Sequence, residues 1–260
     1  METLVVVPTY NEADNLPRLL EALFSLGEDL GVLVVDDNSP DGTGRLAEEM
    51  ASVYPGLFVM RRPGKLGLGS AYVDGFSWGL WETDARLLAQ MDCDFSHDPR
   101  ALPELLRVGR QGAVAIGSRY VPGGQVVNWH LGRRLLSQGG SLYARCLLGL
   151  PLRDLTGGFK CWPRSVLETI NLDQVVSDGY AFQVEMNWRA WRRRARLVEV
   201  PITFVDRRVG CSKMSRAIAL EAMRVVWRLR WQKTEPRRVR AEENGRLRPE
   251  CATRAVDKAK

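Results

Sequence analysis

Two carboxylates, Asp92 and Asp94, follow the apolar run Leu87-Leu88-Ala89-Gln90-Met91. In an extended chain residues i and i+2 face the same way, so a strand ending here presents both acids at the carboxyl edge of an open sheet, where such sheets bind ligands. Paired hard oxygen donors suit a divalent cation, and a cation held there suits a phosphate. Taken alone, the pair also reads as a solvated turn acid and an N-cap, and the other residues that reach that edge decide between the two.

The turn after the first apolar run is Pro8-Thr9-Tyr10-Asn11-Glu12, and after the second Asp36-Asp37-Asn38-Ser39-Pro40-Asp41-Gly42. Neither is a GxGxxG turn or a P-loop, which weakens the dinucleotide and P-loop readings. They offer a ring at Tyr10 on which a base can stack, and acids at Glu12 and Asp37 that can accept hydrogen bonds from a base or ribose. Acids do not cradle phosphates unaided. A bridging Mg2+ or Mn2+ is therefore expected. The Gly-rich stretch Gly64-Lys65-Leu66-Gly67-Leu68-Gly69 reads either as a tight strand-to-helix turn or as a site where Lys65 and backbone N–H groups meet a nucleotide edge or phosphate. Arg119, Arg133, Arg207 and Lys213 each follow an expected strand or sit in a Gly-containing loop. Singly they read as solvated cations; converging, they can surround two phosphate groups.

These residues need a scaffold. Leu4 to Val7 and Val32 to Val35 read as buried strands, with Leu16, Leu19, Leu20 and Leu23 at helical spacing in Asn15 to Leu26 between them. Helices near Thr43 to Val53 and Gly69 to Trp81 alternate with strands near Leu57 to Met60 and Arg86 to Met91. Pro99 to Val108 (helix), Ala113 to Gly117 (strand) and a Gly/Pro loop at Val121 to Gln125 follow. The expected fold class is α/β, a mostly parallel sheet sandwiched by helices. Arg133 to Leu150 is helix-like and rich in Leu, either a core helix or one lying in a membrane interface. Tyr180 to Arg193 reads as a helix, Arg196 to Phe204 as a strand and Ser215 to Trp231 as a last helix. The expected division is a catalytic domain over 1–231 and a basic, disordered tail over 232–260.

With 260 residues, 45 % of them apolar and 26 % charged, the chain suits one large globular domain. Five Cys without a CxxC pair suggest free thiols, and two His at no ligand spacing argue against zinc. No signal peptide or spanning segment is expected, which places the site on the cytoplasmic side. The net charge of +6 permits anionic lipid, nucleic acid or phosphorylated substrate without choosing among them.

The residues resemble the inverting glycosyltransferases of the GT-A fold, and within them the dolichyl- or polyprenol-phosphate mannose synthases. The likeness spans about residues 3 to 231. It rests on Val7 to Glu12, Val35 to Thr43, Gly64 to Gly69, Met91 to His97, Gly117 to Tyr120, Asp154-Leu155-Thr156-Gly157-Gly158-Phe159 and Phe204 to Lys213. It implies that Pro8, Tyr10, Glu12, Val35 and Asp37 hold the guanosine of GDP-mannose, that Cys93 lies against the nucleotide through its backbone, and that Asp92 and Asp94 hold the cation with Ser96 nearby. It further implies that Arg119, Arg207 and Lys213 contact donor or acceptor phosphate, and that Arg133 and Ser137, with Arg119, bind the phosphate of a polyprenyl phosphate. Cys93 stands where Ala is usual. Ser96 stands where some relatives have Gln, and its hydroxyl or a water would take that role.

The implied reaction is inverting transfer of mannose to the acceptor phosphate, with Asp94, Arg119, Arg207 and Lys213 as catalytic residues, by an enzyme peripheral to the cytosolic membrane surface, with a separate membrane-anchoring protein as a candidate partner. The alternatives are a UDP-sugar such as UDP-glucose as donor, a sugar or protein acceptor, and, from another class, a nucleic-acid-binding module suggested only by Arg192-Arg193-Arg194 and the basic tail. No nucleic-acid motif accompanies that charge.

Overall fold

The computed structural model describes residues 1–129, 131–206, 216–232 and 252–253. Its centre is the parallel ladder β1 (Thr3–Thr9), β2 (Leu30–Asp36), β3 (Leu57–Arg61) and β4 (Leu87–Gln90), with β1 between β2 and β4. Beyond β4 lie β5 (Val114–Ser118), β6 (Gln125–Val127), β7 (Lys160–Pro163), β8 (Leu197–Pro201) and β9 (Thr203–Val205) in chain order, and Ala252–Thr253 forms β10. The large sheet runs β10-β3-β2-β1-β4-β7-β5-β8, while β6 and β9 make a separate parallel pair.

β1 and β2 are continuous apolar runs because both faces of the sheet are covered. Leu4, Val6, Leu33 and Val35 face α3 (Leu68–Glu82) and α7 (Gly179–Arg192), meeting Tyr72, Phe76 and Phe182. Val5, Val7, Val32 and Val34 face the other way, against Leu16, Leu19, Leu20 and Leu23 of α1 (Leu16–Phe24) and Leu102, Leu105 and Leu106 of α4 (Leu102–Arg110). α2 (Thr43–Ala51) completes that second layer. Each of these fully buried leucines contributes roughly 1.5–3 kcal/mol of transfer free energy. α5 (Leu131–Leu148) and α8 (Arg216–Trp231) pack together, with α8 also on α7.

Three features differ from the sequence reading. The expected strand Arg196 to Phe204 breaks at Pro201–Ile202 into β8 and β9, which belong to different sheets. The loop expected at Val121 to Gln125 ends in β6, the partner of β9. Lys160–Pro163, which carries no strand-like run, inserts between β4 and β5 antiparallel to both.

α5 is not a core helix. Its small residues Ser137, Ser141 and Ala144 point inward, while Leu131, Leu135, Leu136 and Leu142 are exposed. Among the described residues no helix is long and apolar enough to cross a membrane. The expected tail lies outside the described residues apart from Gln232 and β10, and Arg207 and Lys213 lie outside them too.

Candidate active site

β4 stops at Gln90, so the acids arrive on a bend rather than on the strand that their i, i+2 spacing suggested. The bend is closed by Phe95 in the left-handed region (φ 56°), a conformation costly for a bulky residue and characteristic of functional loops. Asp94 Oδ1 accepts the Ser96 backbone N–H at 2.9 Å, and Asp92 Oδ1 accepts the Tyr72 hydroxyl at 2.9 Å. Tyr72 is fully buried and stacked on Phe182 at 5.7 Å; burial first, then the charge of Asp92, push its pKa well up, so it stays a donor. The Cys93 thiol is buried and pushed up by that burial, which keeps it neutral.

Both Asp side chains remain partly accessible. The Ser96 hydroxyl, by contrast, is buried with no hydrogen-bond partner among the described residues. Two carboxylates and a spare hydroxyl form an all-oxygen donor set, which suits Mg2+ or Mn2+. Among the described residues no group of three or more His, Cys, Asp or Glu gathers as a metal cage, so a ligand's own oxygens would complete the shell. His97 is buried between Phe159 and Phe204, each ring 5.3 Å away, and burial lowers its pKa toward the neutral imidazole.

The neighbouring strands bring the nucleotide-side residues to the same edge. Pro8 pairs with Val35 in the β1–β2 register. Asn11 (φ 60°) and Asn38 (φ 56°) turn the chain sharply just beyond those strands, so left-handed residues close all three loops of this edge. The loops are stitched together: Asn11 N–H donates to Ser39 Oγ at 3.1 Å and Glu12 N–H to Thr43 Oγ1 at 2.9 Å. Glu12 accepts from the Asn15 side chain at 2.8 Å. Asp37 is buried, with one oxygen bonded to Arg62 and the other accepting the Gly67 N–H at 3.1 Å. Its carboxylate thus braces the Gly-rich loop. Tyr10 is exposed at that edge, with Lys65 Nζ 3.6 Å from its ring centroid.

A second cluster follows β5. Arg119 is 5 % exposed, and its Nε and Nη2 each donate to Asp154 at 2.7 Å, with its backbone N–H adding a third bond at 3.0 Å. Nη2 also reaches Thr156 Oγ1 at 2.7 Å, which lies 3.4 Å from Ser137 Oγ. Burial works against both charges of the pair, yet Arg119 is held protonated and Asp154 ionised by each other. The guanidinium carbons of Arg119 and Arg133 lie 5.2 and 4.2 Å from the ring centroid of Trp129, and Arg133 pairs with Asp206 at 2.6 Å. Arg119, Arg133 and Ser137 thus lie in one cluster.

Sequence reasoning gave no role to Trp129, Asp154, Thr156 or Phe204. Asp154 and Thr156 lie in a motif that carried the resemblance, directly before Gly157-Gly158, and that was their one signal. The same segment joins the two clusters: a Cβ built on Gly158 would sit 3.3 Å from Asp92 Oδ2. The strand leading toward Arg207 and Lys213 is also fixed to the acid loop, by Val205 N–H to Ser96 O at 3.1 Å and a bridge between His97 and Phe204.

An acid pair at the end of β4 and an arginine wall beside it suit transfer between phosphate-bearing partners. The Glycosyl transferase family 2 model matches residues 4–170. The chain belongs to this family. This glycosyltransferase is 47 % identical over 223 residues to an undecaprenyl-phosphate mannosyltransferase of Micrococcus luteus, covering 86 % of this chain and 91 % of that one. It is likewise 47 % identical over 223 residues to a polyprenol monophosphomannose synthase of Mycolicibacterium smegmatis, covering 85 % and 84 %.

Among solved structures, a glucosyl-3-phosphoglycerate synthase of Mycobacterium tuberculosis in complex with Mn2+, UDP-glucose and phosphoglyceric acid superposes with a TM-score of 0.64 at 17 % identity, over 88 % of this chain and 79 % of that one. A mannosyltransferase of Pyrobaculum calidifontis with GDP-Man and Mn2+ gives 0.52 at 18 % identity, over 79 % and 56 %. These two likenesses speak to the fold, which is GT-A.

Proposed function

We propose that this family 2 glycosyltransferase transfers mannose from GDP-mannose to the phosphate of a polyprenyl phosphate, with inversion, releasing GDP. The observation that carries the reading is the placement of an oxygen-rich acid bend and a buried arginine wall side by side at one sheet edge, with Gly158 between them. The names borne by relatives at 47 % identity support the choice of sugar and acceptor.

Pro8, Tyr10, Glu12, Val35 and Asp37 would bind the guanosine, Tyr10 by its exposed ring and Asp37 by setting the Gly-rich loop. Asp92 and Asp94, with Ser96, would hold Mg2+ or Mn2+, which when bound neutralises charge on the donor diphosphate. Arg119, Arg133 and Ser137 orient the acceptor phosphate; Nε and Nη2 of Arg119 are taken by Asp154 and Thr156, so Nη1 is the edge it offers. Arg207 and Lys213 are assigned to the phosphates from their motif. An acceptor phosphate oxygen forms the new bond to the anomeric carbon while the bond to the diphosphate breaks, and GDP leaves with the electron pair. That oxygen is already anionic near neutral pH, so no general base is needed, and rate comes from positioning and charge neutralisation.

Leu131, Leu135 and Leu142 form one exposed stripe on α5, and Met223, Trp227 and Trp231 are exposed on α8. With Arg134 and Arg228 on the same helices, this face suits peripheral docking on an anionic cytosolic leaflet, alone or with an anchoring protein.

The test is transfer of radiolabelled sugar from GDP-mannose, UDP-glucose and GDP-glucose to polyprenyl phosphate, with and without chelator. Chelator-sensitive mannosyl transfer is expected. Faster transfer from UDP-glucose overturns the donor, and turnover undiminished by chelator overturns the metal. Failure to float with vesicles of anionic lipid and polyprenyl phosphate overturns the docking.

A further inference from the structure

Lys65 sits at the apex of the loop between β3 and α3, and that loop is fastened at its base rather than its tip. Gly67 N–H is held by Asp37 at 3.1 Å and Gly69 N–H by Asp178 at 2.6 Å. Gly67 itself has φ +104°, open only to glycine in practice, and a Cβ there would meet Asp178 Oδ2 at 2.6 Å. Arg62 adds bonds to Gly67 O at 3.2 Å and Ser70 Oγ at 2.7 Å. The fastening delivers an otherwise exposed lysine across the cleft mouth onto the ring of Tyr10, in the first turn, with Nζ 3.6 Å from the centroid.

We propose that Lys65 is a specificity-determining residue for the donor base: when the base stacks on Tyr10, the ammonium leaves the ring and settles on the O6/N7 edge of guanine. The proposal rests on the GDP-mannose reading above. An exposed cation–π contact is weaker than a base stacked on an aromatic ring, so the exchange runs toward the ligand. A lysine offers donors alone. Guanine presents two acceptors on that edge, whereas adenine presents an acceptor and an amino donor, which the ammonium opposes. The acids of this edge can accept from the guanine N1–H and amino group but do not read O6 and N7, so Lys65 supplies the complementary half of the recognition.

The experiment is equilibrium binding of GDP, IDP and ADP, each with Mg2+, to the full chain and to its Lys65→Met and Lys65→Arg variants. IDP keeps the O6/N7 edge of guanine and lacks the amino group. Lys65→Met should weaken GDP and IDP alike, by about five- to thirty-fold, while changing ADP less than about two-fold, and Lys65→Arg should recover most of the loss. Equal weakening of all three would place Lys65 on the diphosphate and overturn the proposal; so would no change. A wild-type chain with no preference for GDP over ADP would overturn the donor reading itself, whereas a wild-type preference that survives undiminished in Lys65→Met overturns the role of Lys65 alone.

Discussion

The acid bend and the arginine wall lie side by side yet are built on opposite plans. Asp92 and Asp94 are partly accessible, on a loop that stores backbone strain at Phe95. Arg119 is closed in by aromatic rings, and its partner Asp154 is wholly buried. A metal held at the bend, as proposed, would exchange its ligand each turnover and needs carboxylates that stay reachable. In the proposed role an arginine facing phosphate would have to hold one geometry, and the buried Asp154 carboxylate fixes that of Arg119 at the cost of two desolvated charges. Substitutions on the bend should therefore remove activity and spare the fold, whereas breaking the buried Arg119–Asp154 pair should cost stability as well as activity.

Arg119→Ala tests this most severely, because it strands the Asp154 carboxylate in the interior. We expect about 3–5 kcal/mol less stability in urea unfolding, and Arg119→Met with Asp154→Leu should recover most of it without restoring transfer. A single-variant loss under about 1 kcal/mol would break the comparison. Asp94→Asn should lower kcat about 10²–10³-fold, with an unfolding midpoint near wild type; near-normal turnover in saturating Mg2+ or Mn2+ would remove the bend from the chemistry.

Between the two regions, fully buried Lys160 donates to Gln183 O at 3.1 Å and Gln183 Oε1 at 2.7 Å, and burial lowers its pKa from 10.5 to about 7. From pH 7 to 10.5 the unfolded chain keeps a proton that the folded chain has shed, so stability rises with pH across that window, by up to about 1.4 kcal/mol per unit. Lys160→Met should flatten that rise; an unchanged slope would show Lys160 charged in the fold. The smallest effect belongs to Arg133→Ala. Its pair with Asp206 is half-buried, so stability should change by about 1 kcal/mol or less while the acceptor KM rises several-fold.

The parallel half of the fold was legible because strands covered on both faces have nothing but apolar residues to show, as in Leu4 to Val7 and Val32 to Val35. β7 was not, since a four-residue strand opening on Lys and closing on Pro has no pattern of its own; only Gln183 and the surrounding core make that lysine tolerable inside. The break at Pro201–Ile202 was hidden because both pieces remain extended and only their partners change. Site residues could be named by type and by resemblance. The partnership of Arg119 with Asp154 could not, since nothing local links positions 35 apart. The two leucine fates, inward on α1 and outward on α5, depend on what packs against each helix.

One reversal of direction in the sheet has a further consequence. In an all-parallel sheet every strand contributes only its exit to the ligand edge. β7 runs the other way, so that edge receives an entrance, the Asp154–Gly158 segment, immediately next to the exit that bears Asp92 and Asp94. Two substrates meeting tip to tip can then be gripped by separate stretches of chain on adjoining strands, and either grip can be remodelled for a new partner without redrawing the other.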